Sequence, residues 1–598
     1  MGSLSPELLE EQHRVASDSA NTTKTAELWP EKNARGYKLL EQPYGTMRPM
    51  RVIFIGAGAS GICFSKFAED SLTNTTVQIY EKNADIGGTW LENRYPGCAC
   101  DIPSMSYQFT WARNPTWSKY YSSSTEIWQY LNDIVDKYGL RSYMKFNHTV
   151  VSATWNNDDA LWYIRIQDSE GVETLDTCDV LINGSGHLNN WQWPDIKGLH
   201  SFKGRLQHSA HYDESLDLTD KRVAVIGMGS SGIQITSDLG PKVKKLYTWI
   251  RSPTWVTAGF AQKYAGPTGG NFEYSPKQKK MLEENPELSL KYSKMVEAEL
   301  NKRFHFMIKG TPEAAQVRQY AVEEMTRRLS GREDLIEAMI PKTFGVGCRR
   351  PTPGEGFLEA LTKEHVTVFT QQSLEVDETG FVDSHGVHHD VDAIICATGF
   401  NTTWIPRFPI VANGHNVQDL WAQKITSYLS IGVPHMPNYF TISGPYGPHG
   451  LGSFLSVLEV IVENFIKVIK KMQRENIKSL TPKSHLAEAL TEHAELFLAR
   501  TAWSSGCTSW FKQGRADGQL CMFPASRLIF MEIMKEPRFE DYDIEYRSMN
   551  PWAFFGNGFS TRQFDGRDLS YYLGMLQEGD VERNLEGDLQ EFIAAADA

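Results

Sequence analysis

Two glycine-rich turns, each directly after a short apolar run, constrain this chain more than any other feature. The first is Gly56-Ala57-Gly58-Ala59-Ser60-Gly61, after Arg51-Val52-Ile53-Phe54-Ile55. The second is Gly227-Met228-Gly229-Ser230-Ser231-Gly232, after Val223-Ala224-Val225-Ile226. A strand that ends in G-x-G-x-x-G and continues as a helix is the fingerprint of a βαβ dinucleotide unit. The first glycine permits the tight bend, the second lets the backbone approach a pyrophosphate, and the third lets helix pack closely on strand. The helix N-terminus then offers unpaired N–H groups to phosphate oxygens. Two such turns predict an α/β chain with two Rossmann-like dinucleotide-binding domains, holding two dinucleotides at once.

The next strand of each unit separates their roles. In the first, Val77-Gln78-Ile79-Tyr80 ends in Glu81, whose carboxylate can accept hydrogen bonds from ribose hydroxyls. This fits FAD. In the second, Lys245-Leu246-Tyr247-Thr248-Trp249-Ile250 is followed by Arg251. A guanidinium pairs with a 2′-phosphate where a carboxylate would repel it, so this site is read for NADPH over NADH.

Composition narrows the class. The 598 residues suffice for two to four domains, and 41% are hydrophobic, enough for large cores. The net charge of -13 is spread along the chain without a basic stripe, which argues against nucleic acid as a partner. No run of 18 apolar residues suggests a membrane span. The N-terminal stretch has no signal-type apolar core, and Pro6 disfavours myristoylation. The eight cysteines are scattered without C-x-x-C pairs, which reads as reduced thiols and a cytoplasmic protein. No metal site is predicted.

Residues 1–48 are polar and read as an extension. Residues 49–200 and 396–598 are assigned to a discontinuous FAD-binding domain, and 215–395 to an NADPH-binding domain. The second carries a charge-rich helical insertion at about 265–345, with helices expected over 277–284 and 313–329. A helix is also expected over 124–138, with Ile127, Leu131, Ile134 and Val135 on one face. Over 454–469, Glu459, Glu463 and Lys467 at four-residue spacing predict a packed amphipathic helix with one polar face.

The segment Gly87-Gly88-Thr89-Trp90-Leu91-Glu92-Asn93-Arg94-Tyr95-Pro96-Gly97-Cys98-Ala99-Cys100-Asp101 matches the pattern [A/G]-G-x-W-x(4)-[F/Y]-P-[G/M]-x(3)-D at every fixed position. In this the chain resembles the Baeyer–Villiger monooxygenases, flavin-dependent oxygenases of class B. The resemblance places Gly88, Thr89 and Trp90 along the flavin and Asp101 in the active site, where it would hold a catalytic arginine. A second family pattern, F-x-G-x(3)-H-x(3)-W-[P/D], fits Phe202 to Asp213 except that Tyr212 replaces the tryptophan. His208 within it is read as a structural or conformational residue. In Gly347-Cys348-Arg349-Arg350-Pro351, Arg350 takes the position of the family's catalytic arginine. A permanent cation there would stabilise a flavin C4a-peroxide as its anion and the adduct formed when it attacks a carbonyl. Ser509-Trp510-Phe511 resembles a C-terminal loop that closes over NADP and substrate, which makes Trp510 a site candidate.

The resemblance covers about residues 48–535 and implies insertion of one atom of O2 beside a ketone carbonyl to give an ester or lactone. The extended ends look most like fungal members of natural-product pathways, and the aromatic-rich chain suits a bulky ketone. Other flavin-using classes share parts of this pattern. A class B flavin monooxygenase oxidising nitrogen or sulfur, or a flavin-dependent hydroxylase, shares both turns but has no use for the Asp101–Arg350 pair. A disulfide reductase would need a redox cysteine pair beside the flavin, where this chain has Trp90. Substrate identity and oligomeric state are not encoded legibly.

Overall fold

The computed structural model describes residues 30–573, apart from 258, 266–269, 372–373 and 451. The expectations for residues 1–29, and for the acidic tail beyond 573, lie outside the described residues. Two compact units emerge: Met1–Pro49, Ile469–Ser479 and Ile544–Ala598 form one, Met50–Val468 and Leu480–Asp543 the other.

In the larger unit ten strands build two five-stranded parallel sheets. They are β1 (Met50–Ile55), β2 (Thr75–Tyr80), β3 (Met144–Lys145), β4 (Val180–Asn183), β5 (Arg205–His208), β6 (Arg222–Ile226), β7 (Lys245–Trp249), β8 (Val366–Phe369), β9 (Ala393–Cys396) and β10 (Tyr439–Thr441). The first sheet runs β10-β4-β1-β2-β3 and the second β8-β7-β6-β9-β5. Parallel strands covered on both faces need apolar side chains in both directions. Accordingly Val52, Ile53 and Phe54 of β1 and Val223, Ala224 and Val225 of β6 are all buried. The chain is therefore α/β with two doubly wound sheets, each entered through a glycine turn.

The helices follow their caps. α1 (Ala59–Ser71) follows the first glycine turn, and α2 (Thr89–Glu92) is a single turn behind Gly88. α3 (Ser124–Lys137) is capped by Ser123, whose hydroxyl accepts from the Glu126 N–H, and buries Ile127, Leu131, Ile134 and Val135. α4 (Ser230–Leu239) follows the second turn. The insertion is helical: α5 (Pro276–Glu284), α6 (Pro286–Lys302), α7 (Pro312–Arg328) and α8 (Glu333–Met339). Ser275, Asn285 and Thr311 cap the first three, each followed by proline at the first helical position, where no N–H is needed.

A long helix spans Phe454–Arg474. Its expected polar face is interrupted: Glu459 is buried. Its carboxylate accepts from the Thr110 N–H (2.6 Å) and hydroxyl (2.7 Å), and these two donors are what permit the burial. Burial still pushes its carboxyl up to about 7. Among the described residues no helix is long and apolar enough to cross a membrane.

In the smaller unit, the strand-like stretch at Pro43–Tyr44 bridges to Gly556 and Ser560, and the Tyr44 N–H donates to the Phe559 carbonyl at 2.7 Å.

Candidate active site

The first glycine turn is tied to its acidic partner by the backbone. Gly56 has φ +102°, and a Cβ there would sit 2.8 Å from the Gly184 carbonyl oxygen. Beside it, the Ala57 N–H donates to Glu81 Oε2 (2.8 Å), and the Asn83 N–H donates to Glu81 Oε1 (2.8 Å). Burial raises the Glu81 carboxyl above its usual range, against the pull of these two bonds. Gly58 faces Gly88 across the turn: a Cβ on Gly88 would lie 3.1 Å from Gly58 Cα. Two bare backbones thus flank the space before α1, while Gly61 is buried within that helix. This cradle fits a pyrophosphate at a helix N-terminus.

The segment from Gly87 to Asp101 then crosses to the second sheet. Thr89 opens α2, and Trp90 is buried with its Nε1–H donating to the Tyr107 hydroxyl at 3.1 Å. Tyr95 donates through its hydroxyl to Gln234 Oε1 (2.8 Å), and Gln234 Nε2 donates to the Ala99 carbonyl (2.9 Å). Gln234 lies on α4, so the loop ending at Asp101 is pinned to the helix behind the second glycine turn.

Asp101 meets Arg350 there. Arg350 Nη2 donates to Asp101 Oδ1 at 2.6 Å, and Nη1 donates to Oδ2, a bidentate pair. The guanidinium also lies over the Phe260 ring, 5.4 Å from its centroid. Burial works against the Arg350 charge, but the Asp101 carboxylate outweighs it and leaves the guanidinium harder to deprotonate than usual. The site therefore holds a permanent, oriented cation between two dinucleotide folds.

The second turn is more open than the first. A Cβ on Gly229 would meet nothing within 4 Å, whereas Gly227 and Gly232 press on neighbouring backbone. Ser230 shares a hydrogen bond with the Thr352 hydroxyl (3.0 Å), which brings the segment after Arg350 alongside the turn; Ser231 follows it at the start of α4.

Trp510 sits in a one-turn 3-10 helix, its ring 4.9 Å from that of His187 and 4.3 Å from that of Phe511. This loop is joined covalently to the Arg350 loop by a Cys348–Cys507 disulfide, with the two Cα atoms 6.2 Å apart. The reading of all eight cysteines as reduced thiols is corrected at this pair. Residues 159 positions apart become neighbours only through the fold, and no short-range spacing announces them. The six remaining cysteines are unbridged and buried.

Comparison with known proteins decides the family. A model described as flavin-binding monooxygenase-like matches residues 49–324. The FAD-binding monooxygenase tazF of Aspergillus terreus is 38% identical over 541 residues, 89% of this chain and 96% of its own length. The chain belongs to the flavin-binding monooxygenase-like family. A Baeyer-Villiger monooxygenase of Pseudomonas aeruginosa is 28% identical over 504 residues, covering 82% of this chain and 90% of that protein. In fold, the chain is similar to cyclohexanone monooxygenase from Rhodococcus sp. Phi1 bound to NADP+, with TM-score 0.72 and 23% identity over 83% of this chain and all of the other.

Three features of this monooxygenase escaped the sequence reading. Arg349, beside Arg350, donates from Nη2 to the Ser252 hydroxyl at 3.0 Å, and its pKa is lowered first by burial and then by Arg251. Two like charges thus gather at the end of β7, and the paired arginines were the available signal. His187 and His449 lie 5.6 Å apart between Trp404 and Trp510. Burial drops them to about 3 and about 4, so both are neutral; His187 Nε2 is enclosed without a protein partner, and no motif announced either residue. The third is the Gln234 pin.

In the second family pattern, His208 is fully buried and stacks on Trp191 at 4.5 Å. Its Nδ1 accepts from the Ala210 N–H, and burial lowers it to about 4. Tyr212 packs on the core of the second sheet with its hydroxyl enclosed and unpartnered.

Proposed function

We propose that this monooxygenase is a Baeyer–Villiger enzyme that uses FAD, NADPH and O2 to insert one oxygen atom beside the carbonyl of a bulky ketone, giving an ester or lactone in natural-product biosynthesis. The observation that carries the reading is the Asp101–Arg350 pair, a fixed cation set between the two dinucleotide folds. When bound, FAD reduced by NADPH supplies the electrons and the activation of oxygen. The protein's own residues do the rest.

Gly56, Gly58 and Gly61 would hold the FAD pyrophosphate at the N-terminus of α1, and Glu81 its ribose. Gly88, Thr89, Trp90 and Asp101 would line its length. Gly227, Gly229, Gly232, Ser230 and Ser231 would cradle the nicotinamide nucleotide, with Arg251 and Arg349 on its 2′-phosphate. Arg350 would face negative charge developing on oxygen as a ketone carbonyl is attacked, where a preorganised donor lowers the barrier most. Asp101 keeps that guanidinium from swinging away. Trp510 and its loop would shut water out.

The test is a purified enzyme given NADPH, oxygen and panels of ketones, sulfides and amines, with products weighed by mass spectrometry. Esters heavier than their ketones by one oxygen atom are expected. Sulfoxide or N-oxide formation without any ester, undiminished in Arg350→Ala, would replace this reading with heteroatom oxidation.

A further inference from the structure

The helical insertion contains a cavity of about 630 Å³ that none of the roles above uses. Its walls include Tyr264, Phe272, Tyr274, Met281, Tyr292 and Met295. That volume falls within the range of small-molecule pockets, and apolar aromatic walls with few polar groups are the usual lining. The polar groups here are largely spent on the protein itself. The Tyr274 and Tyr292 hydroxyls pair at 3.2 Å, and Gln278 Oε1 accepts from the Ser275 N–H that it caps. Lys291 is the charged member of the lining. Met281 and Met295 remain 49% and 42% exposed, an apolar mouth kept open on helices whose other positions are mostly polar.

The cavity is joined to the arginine site by one short stretch of chain. Phe260 lies under the Arg350 guanidinium at 5.4 Å. Its carbonyl accepts from the Tyr121 hydroxyl (2.6 Å), and the next carbonyl, of Ala261, accepts from the Tyr120 hydroxyl (2.9 Å). Tyr120 in turn stacks on Phe272 of the cavity wall at 5.3 Å. Tyr264, also in the wall, is four residues beyond Phe260, so their Cα atoms are at most about 14 Å apart. Ala261 bends this stretch with φ +51°, and the two tyrosine hydroxyls hold the bend.

We infer that this cavity seats the fused-ring aromatic body of an extended ketone substrate, with the carbonyl end directed toward Arg350. This rests on the reading of the chain as a ketone oxygenase and names its substrate class. Stacking on Phe272 and Tyr274 suits flat rings, and Lys291 suits an anionic oxygen substituent at the far end.

Binding is measured apart from turnover. The holoenzyme is titrated with 2-acetylanthracene, a fused-ring aryl ketone, followed by probe fluorescence, while flavin content and melting temperature report folding. Met281→Glu and Met295→Glu, at exposed positions, should weaken binding about tenfold or more with folding intact. Equal affinity in the native enzyme and both methionine variants, or no binding to the native enzyme, overturns the cavity assignment. Binding that follows the expected pattern, with no ester formed from the probe or from any ketone of the panel, sinks the ketone-oxygenation reading and leaves the cavity as a fused-ring ketone site.

Discussion

Asp101 and Arg350 form a bidentate ion pair across 249 residues of sequence. One comes from the loop after α2, the other from the segment that follows the helical insertion. Only the fold brings the two together. Removing the carboxylate should therefore cost both position and stability. Asp101→Ala is expected to lose about 2 kcal/mol of unfolding free energy, below the range for a fully buried pair, because 26% of the Arg350 side chain is exposed. Ester formation should fall by about two to three orders of magnitude while NADPH still reduces the flavin. Stopped-flow flavin reduction alongside product analysis separates the two; normal ester yield from Asp101→Ala would remove Asp101 from the chemistry.

Nucleotide preference should depend on the paired guanidiniums. Arg349→Ala is expected to lower kcat/KM for NADPH by roughly tenfold to a hundredfold and to leave NADH nearly unchanged, the loss of a charge-assisted contact to one phosphate. Equal losses with both nucleotides would mean that Arg349 acts only on the fold.

The disulfide predicts a thiol count. Unfolded without reductant, the protein should show six reactive thiols, and after reduction eight. Cys507→Ser should lower the unfolding temperature, with loop entropy setting an upper limit of about 5 kcal/mol for so long a ring. Eight thiols before reduction would refute the bridge.

Acid should loosen the cluster around Trp510. His187 and His449 stay neutral in the folded state down to about 3 and about 4, whereas the unfolded chain takes up protons near 6.5. Their contribution is complete above pH 6.5 and is lost as pH falls from there toward 4. Urea unfolding of the native protein and of His449→Phe at pH 7.5, 5.5 and 4.5 tests this. A shallower decline is expected in the variant, and parallel declines would exclude the histidine as the cause.

What could be read in advance was local. The two glycine turns, the acid ending β2 and the serine-capped helix over 124–138 depend on residues within a few positions of one another, where backbone sterics and hydrogen bonds dominate. Ser123, which caps α3, shows how little context a cap needs. Asp101 and Arg350 were reached through a long motif and a family resemblance, since no spacing rule joins residues so distant. What stayed hidden was tertiary. Glu459 has the helical spacing of a solvent-facing residue, and only the position of Thr110 on another loop makes it a buried one. Cys348 and Cys507 are ordinary lone cysteines until the fold brings them together. The Tyr274 and Met295 cavity arises from helices that look merely charged in sequence.

The Gln234 side chain has one more consequence. By binding Tyr95 on one side and Ala99 on the other, it makes α4 and the approach to Asp101 a single rigid piece. A shift of that helix would either break these two bonds or carry Ala99 with it, and Asp101 stands two residues later. The orientation of the Asp101–Arg350 pair is thereby tied to the helix behind the second glycine turn as well as to the loop that carries Asp101.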